Sequence, residues 1–487
     1  MAASPSQRSP SYLRRLLPTL GMAATIQGYA AALAVVVQGD AAASFGAPDT
    51  PAAFAVLFVG LGAVGGVALA PMADRVGRRP ILILSTFMMI LLTALTGVAA
   101  NLTQFSLLQF LSRVFVISAY ATTLVITVEE FPVGRRGWAV GVVSLFGGLG
   151  LALAYGLSAL LPGGPDDWKA LCFIGLAGLL PLIVIGGYVE ETASWVHTSR
   201  GEPAERRLGR PHRRQIWQLG TVFFFAYFAF LGGATWWTRF TEIEQGIDSQ
   251  SLGNVLAAAY LIGLAGYLFG GRLQDRIGRR RTATLCLLGA GLAGAGLFTA
   301  PVGHTVLASI AVFLGLGASP ALSALSAELA PAGRRAYVAG LLRGVFATAG
   351  AIGGPVAVSF LADPETGAIG EIAGGVMVVG LAVIPAVLIL QLLPETASRD
   401  LESIAAAADI PDPDELSSFA PTPAPRRPGP EARSVAPEER RPGPLLAPPR
   451  PADPVPPLRE EREAIFPPDR PPGEEDEGGE EPAPPPR

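Results

Sequence analysis

The chain has 487 residues, half of them hydrophobic and 16% charged, and a mean hydropathy of +0.43, which excludes an ordinary soluble domain and points to an integral membrane protein. Its net charge of −4 is unevenly spread: from Glu395 onward there are 11 Arg against 21 Asp and Glu, and before it 25 basic residues against 19 acidic ones. Neither part offers the basic stripe that phosphates require, so nucleic acid is excluded as a partner.

Twelve apolar runs follow one another, each near the roughly 20 residues that a helix needs to cross a bilayer. They cover 19–38, 52–73, 80–99, 104–128, 138–161, 168–189, 216–237, 253–271, 282–302, 305–327, 337–361 and 370–393. The reading is all-α: twelve transmembrane helices in two six-helix bundles. A segment of residues 1–18 precedes the first bundle (19–189), an arginine-rich linker (190–215) separates it from the second (216–393), and residues 394–410 follow as a post-bundle segment. From 411 to 487 the Pro-rich, acidic composition predicts a disordered tail, which buries too little apolar surface to offset chain entropy. No partner for this tail is legible.

Arginines alternate sides as the positive-inside rule demands, with Arg8, Arg14 and Arg15, then Arg75, Arg78 and Arg79, then Arg135 and Arg136, and so on down the chain. The opposite loops carry only Lys169 and Arg239, beside acids such as Asp40, Asp166, Asp167 and Glu242. Both termini are therefore expected in the cytoplasm of a cell whose plasma or cytoplasmic membrane holds the chain. Removing the first run as a signal peptide would break this alternation.

Lys169 is the only lysine, so a Walker A loop and nucleotide-driven pumping are excluded. Two cysteines (Cys172, Cys286) and three scattered histidines build neither a disulfide framework nor a metal cluster, and no cofactor is expected. No nucleophile, base and orienting group converge at a legible spacing, which argues against an enzyme.

Two local patterns occur twice. Asp74-Arg75-Val-Gly77-Arg78-Arg79 returns 201 residues later as Asp275-Arg276-Ile-Gly278-Arg279-Arg280. Glu129-Glu-Phe-Pro132-Val-Gly-Arg-Arg136 returns after 199 residues as Glu328-Leu-Ala-Pro331-Ala-Gly-Arg-Arg335. Duplicated halves with one motif order suit a carrier whose site lies between repeats. Here the chain resembles the major facilitator superfamily, whose loop signature is Gly-x3-Asp-Arg-x-Gly-Arg-Arg/Lys. The second copy matches throughout, whereas the first has Ala70 in place of the leading glycine. The chain is most similar to the sugar-porter and metabolite-symporter branches. Glu129, Pro132, Arg136 and Gly137 fit their Glu-x2-Pro-x3-Arg-Gly pattern, and Pro394-Glu395-Thr396 fits their closing signature. Their mid-chain Pro-Glu-Ser-Pro-Arg survives only as Glu190-Glu191-Thr-Ala-Ser194-Trp195.

The resemblance implies a gate in which Asp74, Arg75, Arg78, Arg79, Glu129, Arg136, Asp275, Arg276, Arg279, Arg280, Glu328, Arg335 and Glu395 pair across the halves, with Gly77 and Gly278 at the turns. It also implies that runs two and eleven, and five and eight, line the boundary between halves.

Charged groups within the runs are costly and mark function. Arg113 and Arg343 are the two that stand out, with Gln27, Tyr120, Tyr227, Ser319 and Ser323 as further substrate-binding candidates at suitable depth. Trp236 and Trp237 are expected in the outer aromatic belt. Related proton symporters carry an aspartate in the first run, but this chain has Gln27-Gly28-Tyr29, and an amide does not titrate at physiological pH. A proton remains the candidate coupling ion, with that usual carboxylate missing. An arginine without a fixed counter-charge favours an organic anion as solute, with neutral sugar-like metabolites as the rival. The expected function is secondary transport of a small organic solute by alternating access. A proton-linked drug or metabolite exporter is the alternative within the family, and a non-transporting membrane sensor using its tail is the alternative outside it.

Overall fold

The computed structural model describes residues 8–46, 51–161, 164, 166–200, 208–243, 246–299, 304–361, 371–397, 399 and 401. The expected tail of 411–487 and part of the expected linker, 201–207, lie outside them.

Helix α1 (Pro10–Val36) starts where Ser9 Oγ accepts the Tyr12 amide at 3.3 Å and Pro10 occupies the first turn, where a missing N–H costs nothing. A short α2 (Gln38–Ser44) follows, then α3 (Pro51–Val76) and α4 (Arg78–Thr96). Gly77 alone joins these last two helices, at φ 130°, a backbone conformation that side-chain-bearing residues avoid. Helix α5 (Leu102–Glu130) is capped by Asn101, which accepts the Gln104 amide at 2.9 Å. A 3-10 turn at Val133–Arg135 leads into α6 (Arg136–Leu160). The sixth apolar run is broken into α7 (Asp167–Ile174), a 3-10 turn at Gly175–Gly178 and α8 (Leu179–Tyr188). Pro181 accounts for the break, because it removes the donor that would close the preceding turn.

After α9 (Ala193–Arg200) the pattern repeats as α10 (Arg210–Ile243), α11 (Ser249–Ile277), α12 (Arg279–Thr299) and α13 (His304–Glu328). Gly278, at φ 106°, is the single-residue link between α11 and α12, as Gly77 is between α3 and α4. A second 3-10 turn, Ala332–Arg334, copies the first: the amides of Arg135 and Arg334 each donate at 2.9 Å to the carbonyls of Pro132 and Pro331. The eleventh run is α14 (Arg335–Leu341), one stretch of π-helix (Leu342–Ala347) and α15 (Thr348–Leu361), and α16 (Glu371–Leu390) closes the series.

Ten helices among the described residues are long and apolar enough to cross a membrane; α3 and α16, of 26 and 20 residues, occupy the second and twelfth predicted runs. Several helices outrun their apolar segments by a turn or two. Helix α10, for example, continues through Arg239 and Glu242, which the sequence reading places in a loop. Apolar composition marks where hydrocarbon would lie, whereas a helix continues into polar surroundings until a cap or glycine stops it.

Helix α1 packs on α6, and both α3 and α4 pack on α5; in the second half α10 packs on α15, and α11 and α12 pack on α13. The halves meet along two seams, α6 with α11, and α3 with α14 and the π stretch. Small residues set these approaches. A side chain at Gly141 would strike the Tyr267 carbonyl and Gly271, and one at Gly340 would strike Ala70. Alanines 70, 73 and 121 of one half and 327, 336 and 339 of the other share one buried cluster.

Candidate functional site

The duplicated motifs converge at one end of the bundle and pair crosswise. The Glu129 carboxylate, fully buried on α5, accepts Arg78 of its own half at 3.1 Å and Arg335 of the other half at 2.9 Å. Glu328 on α13 mirrors it, accepting Arg279 of its own half at 3.3 Å and Arg136 of the other at 3.2 Å. The aspartates cap the opposing helices. Asp74 accepts the amides of Ala336 (3.2 Å) and Tyr337 (3.0 Å) at the start of α14, and Asp275 accepts those of Gly137 (2.9 Å) and Trp138 (2.7 Å) at the start of α6. Each carboxylate thus sits at the positive end of a helix from the other half. Each also keeps an arginine from its own half, Arg78 at 3.6 Å for Asp74 and Arg279 at 3.1 Å for Asp275.

Outside this lattice lies a second layer. Glu191 accepts the amides of Arg78 (2.8 Å) and Arg79 (3.2 Å), and Glu395 accepts those of Arg279 (2.8 Å) and Arg280 (3.1 Å). These carboxylates fill the space that a side chain at Gly77 or Gly278 would need. Thr396 donates to Glu328 at 2.5 Å, Ser194 accepts from Arg335 at 3.1 Å, and Arg8 bridges Glu130 (2.9 Å) and Glu190. The guanidinium of Arg79 reaches the Gly186 carbonyl, and that of Arg280 reaches Gln391 and Leu393. Arg75 and Arg276 are exposed and join no ion pair among the described residues.

Nearer the middle of the bundle, a pocket of about 150 Å³ is lined by Gln27, Arg113, Tyr120, Ser319 and Arg343, among others. Its walls come from both halves. The Gln27 amide donates to Thr123 Oγ1 at 2.8 Å, and the Tyr120 hydroxyl lies 3.0 Å from Ser323 Oγ across the boundary. Arg343 is held between two rings, 5.0 Å from the centroids of both Tyr120 and Tyr227. It stands in the π stretch, where the widened turn re-aims side chains, a feature common at functional sites. Neither Arg113 nor Arg343 has a carboxylate partner among the described residues, and Arg113 Nε is buried without any hydrogen bond. Ser323 braces Tyr120 rather than lining the pocket, and Tyr227 lines a larger chamber next to it. Trp236 and Trp237 correct the aromatic-belt expectation: both are buried, 1% and 2% exposed, because the α10 face that carries them turns inward onto a core with Phe240 and Phe298.

The family model described as Major Facilitator Superfamily matches residues 19–355 and 240–436. The chain belongs to the major facilitator superfamily. Among its relatives, the cis,cis-muconate transport protein of Acinetobacter baylyi is 24% identical over 247 residues, 47% of this chain and 58% of the relative, so the chain spans little more than half of that protein. The 3-(3-hydroxy-phenyl)propionate transporter of Escherichia coli K12 is 25% identical over 394 residues, covering 78% of this chain and 96% of the relative. The solved structure of the proton:xylose symporter XylE, bound to 6-bromo-6-deoxy-D-glucose, superposes with a TM-score of 0.67 at 16% identity, covering 82% of this chain and all of that one, a likeness of fold. With ten membrane-length helices among the described residues, this member of the superfamily is a multi-pass membrane protein.

Sequence reading of this superfamily member noted Glu191, Thr192 (which hydrogen-bonds Glu129) and Ser194 only as the remnant of a mid-chain signature, with no place in the gate. It did not single out Thr123, Tyr260 or Tyr267, the last two of which also line the arginine pocket. A signal existed for the first three, since Glu191-Thr-Ala-Ser194 recurs as Glu395-Thr-Ala-Ser398, a third duplicated motif. None existed for Arg8, which comes to Glu130 and Glu190 from 122 and 182 residues away.

Proposed function

We propose that the chain is a secondary transporter that carries small organic anions by alternating access. Twelve spans divide into bundles 19–189 and 216–393, joined by the linker 190–215, and the motif-bearing end faces the cytoplasm of a cell-surface membrane. One observation carries the anion assignment: Arg113 and Arg343 line a single pocket at the boundary of the halves, with no carboxylate among the described residues to neutralise them. A guanidinium in a partly desolvated site recognises a carboxylate through paired, charge-assisted hydrogen bonds. The muconate and hydroxyphenylpropionate relatives are named for a dicarboxylate and a monocarboxylate, which supports an organic anion as the solute class.

The crossed lattice supplies the gate. With the motif end shut, Arg335 and Arg136 reach into the opposite half, and Asp74 and Asp275 cap opposing helices. When the halves part, each carboxylate keeps the arginine of its own half, so no buried charge is stranded, which would otherwise cost about 3–5 kcal/mol per broken pair. What is lost are the contacts to Arg136, Arg335 and the helix-start amides, which are buried while the end is shut and are hydrated as water enters the parting seam. A transition built this way is reversible, as a carrier requires. Anion binding between Arg113 and Arg343 draws the two halves onto one ligand and favours the closed pocket.

Uptake by the purified protein in liposomes, across a panel of carboxylates and sugars, tests the proposal. Carboxylate flux that disappears in Arg113→Gln while the variant still inserts is the expected result; sugar flux, or flux indifferent to Arg113, overturns it. Removing residues 411–487 is expected to leave the flux intact, whereas a sensor acting through its tail would lose its output.

A further inference from the structure

Beside the arginine pocket lies a chamber of about 850 Å³, within the range of sites that enclose drug-sized ligands. Its walls come mainly from α10, α11, α12 and α13, with the outer part of α6 on one side, and the two cavities share Leu151, Tyr260, Tyr267 and Ser319. Tyr227 connects them chemically: one side of its ring holds the Arg343 guanidinium, and the residue also lines the chamber. Among the described residues lining the chamber there is no Asp, Glu, Arg, Lys, His, Asn or Gln; apart from Ser319, alanine, glycine, leucine, valine and aromatic residues make it up.

The two cavities differ in what they accept. The smaller holds the charge and has room for little more than a headgroup, about five waters' worth of liquid volume at roughly 30 Å³ each. The larger has no charged side chain among its described lining residues, though Ser319 and four tyrosines bring hydroxyls, so a second ionised group placed there would be left without a counter-charge. The lining is also uneven between halves: five of the six helices, α10 to α13 and α16, are from the second half, so the apolar body of a ligand would lean mainly on that half while its charged end touches both.

We infer that the transported anion is an amphipathic monocarboxylate, its carboxylate on Arg113 and Arg343 and its ring-bearing or alkyl body, without further charge, in the chamber beside Tyr227 and Tyr260. This substrate class rests on the anion-carrier assignment above. A small hydrophilic diacid would fill only the arginine pocket and leave the chamber to water.

Equilibrium binding of radiolabelled acids to the detergent-solubilised chain tests it, with butanoate, hexanoate, octanoate, 3-phenylpropionate and a hydrophilic dicarboxylate as probes. Affinity is expected to rise about fourfold per methylene, the equivalent of about 0.8 kcal/mol, until the chamber is filled. Gly156→Phe provides the matched variant, because Gly156 lines the chamber and a side chain there meets nothing within 4 Å. It should weaken octanoate and phenylpropionate binding at least tenfold and leave butanoate binding unchanged. Gly294→Leu, on the far wall where the nearest atom is Val379 Cγ1 at 3.8 Å, serves the same purpose should Gly156→Phe not fold. Equal binding of all chain lengths, or tightest binding of the dicarboxylate, overturns the amphipathic class while leaving the anion carrier standing. If no acid binds and Arg113→Gln changes nothing, both fall together.

Discussion

Asp275→Asn tests the crossed lattice at its most exposed member. The native carboxylate accepts two amide hydrogens of the opposite half, Gly137 at 2.9 Å and Trp138 at 2.7 Å, at the first turn of α6. An asparagine has one acceptor oxygen, so one bond is lost and the other is no longer charge-assisted. Hydrogen bonds to a charged group contribute about 1.5–3 kcal/mol each and neutral ones about 0.5–1.5 kcal/mol. The shut motif end is therefore destabilised by roughly 2–4 kcal/mol, a shift of about 30-fold to several hundred-fold toward the state open at that end. Arg279 keeps the Gln274 carbonyl and Glu328, so the fold of the second half is undisturbed. Spin labels at Arg75→Cys and Arg276→Cys report the motif end from exposed positions that belong to no ion pair among the described residues, and the native Cys172 and Cys286 are buried. Double electron–electron resonance should show one short separation in the parent and a second, longer one in Asp275→Asn. A well-folded variant with the parent's distribution would refute the gating role, and Asp74→Asn must give the same shift because it caps α14 in the same way.

Three further outcomes are expected. Gly77→Ala and Gly278→Ala each place a side chain at φ 130° or 106° and against Glu191 or Glu395, so each should lower thermal stability by about 1–3 kcal/mol, read by a fluorescence melt of the detergent-solubilised protein. Gln27→Glu puts an ionisable carboxyl in the pocket of Arg113 and Arg343; ionised above its pKa, near 4.3 in isolation, it competes with the solute carboxylate. Anion uptake by this variant at neutral pH should fall at least tenfold below the parent's, while the protein still inserts; unchanged uptake would show that Gln27 does not face the ligand. Tyr227→Leu removes one of the two rings that hold Arg343 and part of the chamber wall, so binding of short carboxylates should weaken by about threefold to tenfold and that of long ones by more; unchanged binding of both would show that this ring does not support the site.

Much of the architecture was legible because the bilayer imposes it. Runs near 20 apolar residues place the helices, and the doubled Asp-Arg-x-Gly-Arg-Arg marks the matching turns at Gly77 and Gly278. The residues of the lattice could be nominated, but not their wiring. The sequence named the charges that could pair across the halves but not which with which; the structure gives Glu129 to Arg335 and Arg136 to Glu328, because the helix that carries Arg136 turns away toward the other half. The arginine pocket was half legible. A charge within an apolar run announces itself, yet the π stretch that carries Arg343 has no simple composition signature. The chamber was not legible, since it is a volume left between alanines, glycines and leucines that read one by one as packing. Trp236 and Trp237 show the converse: they stand at the end of an apolar run, which suggested an outward-facing belt, but packing turns them into the core.

The most direct test of alternating access is the sidedness of a thiol in the shared pocket. Ser319→Cys, in a chain whose Cys172 and Cys286 have been replaced, should react with a membrane-impermeant maleimide from the face opposite the motifs in the parent, and from the motif face once Asp74→Asn and Asp275→Asn are added. Reaction from the same face in both backgrounds would contradict a pocket that serves the two sides in turn.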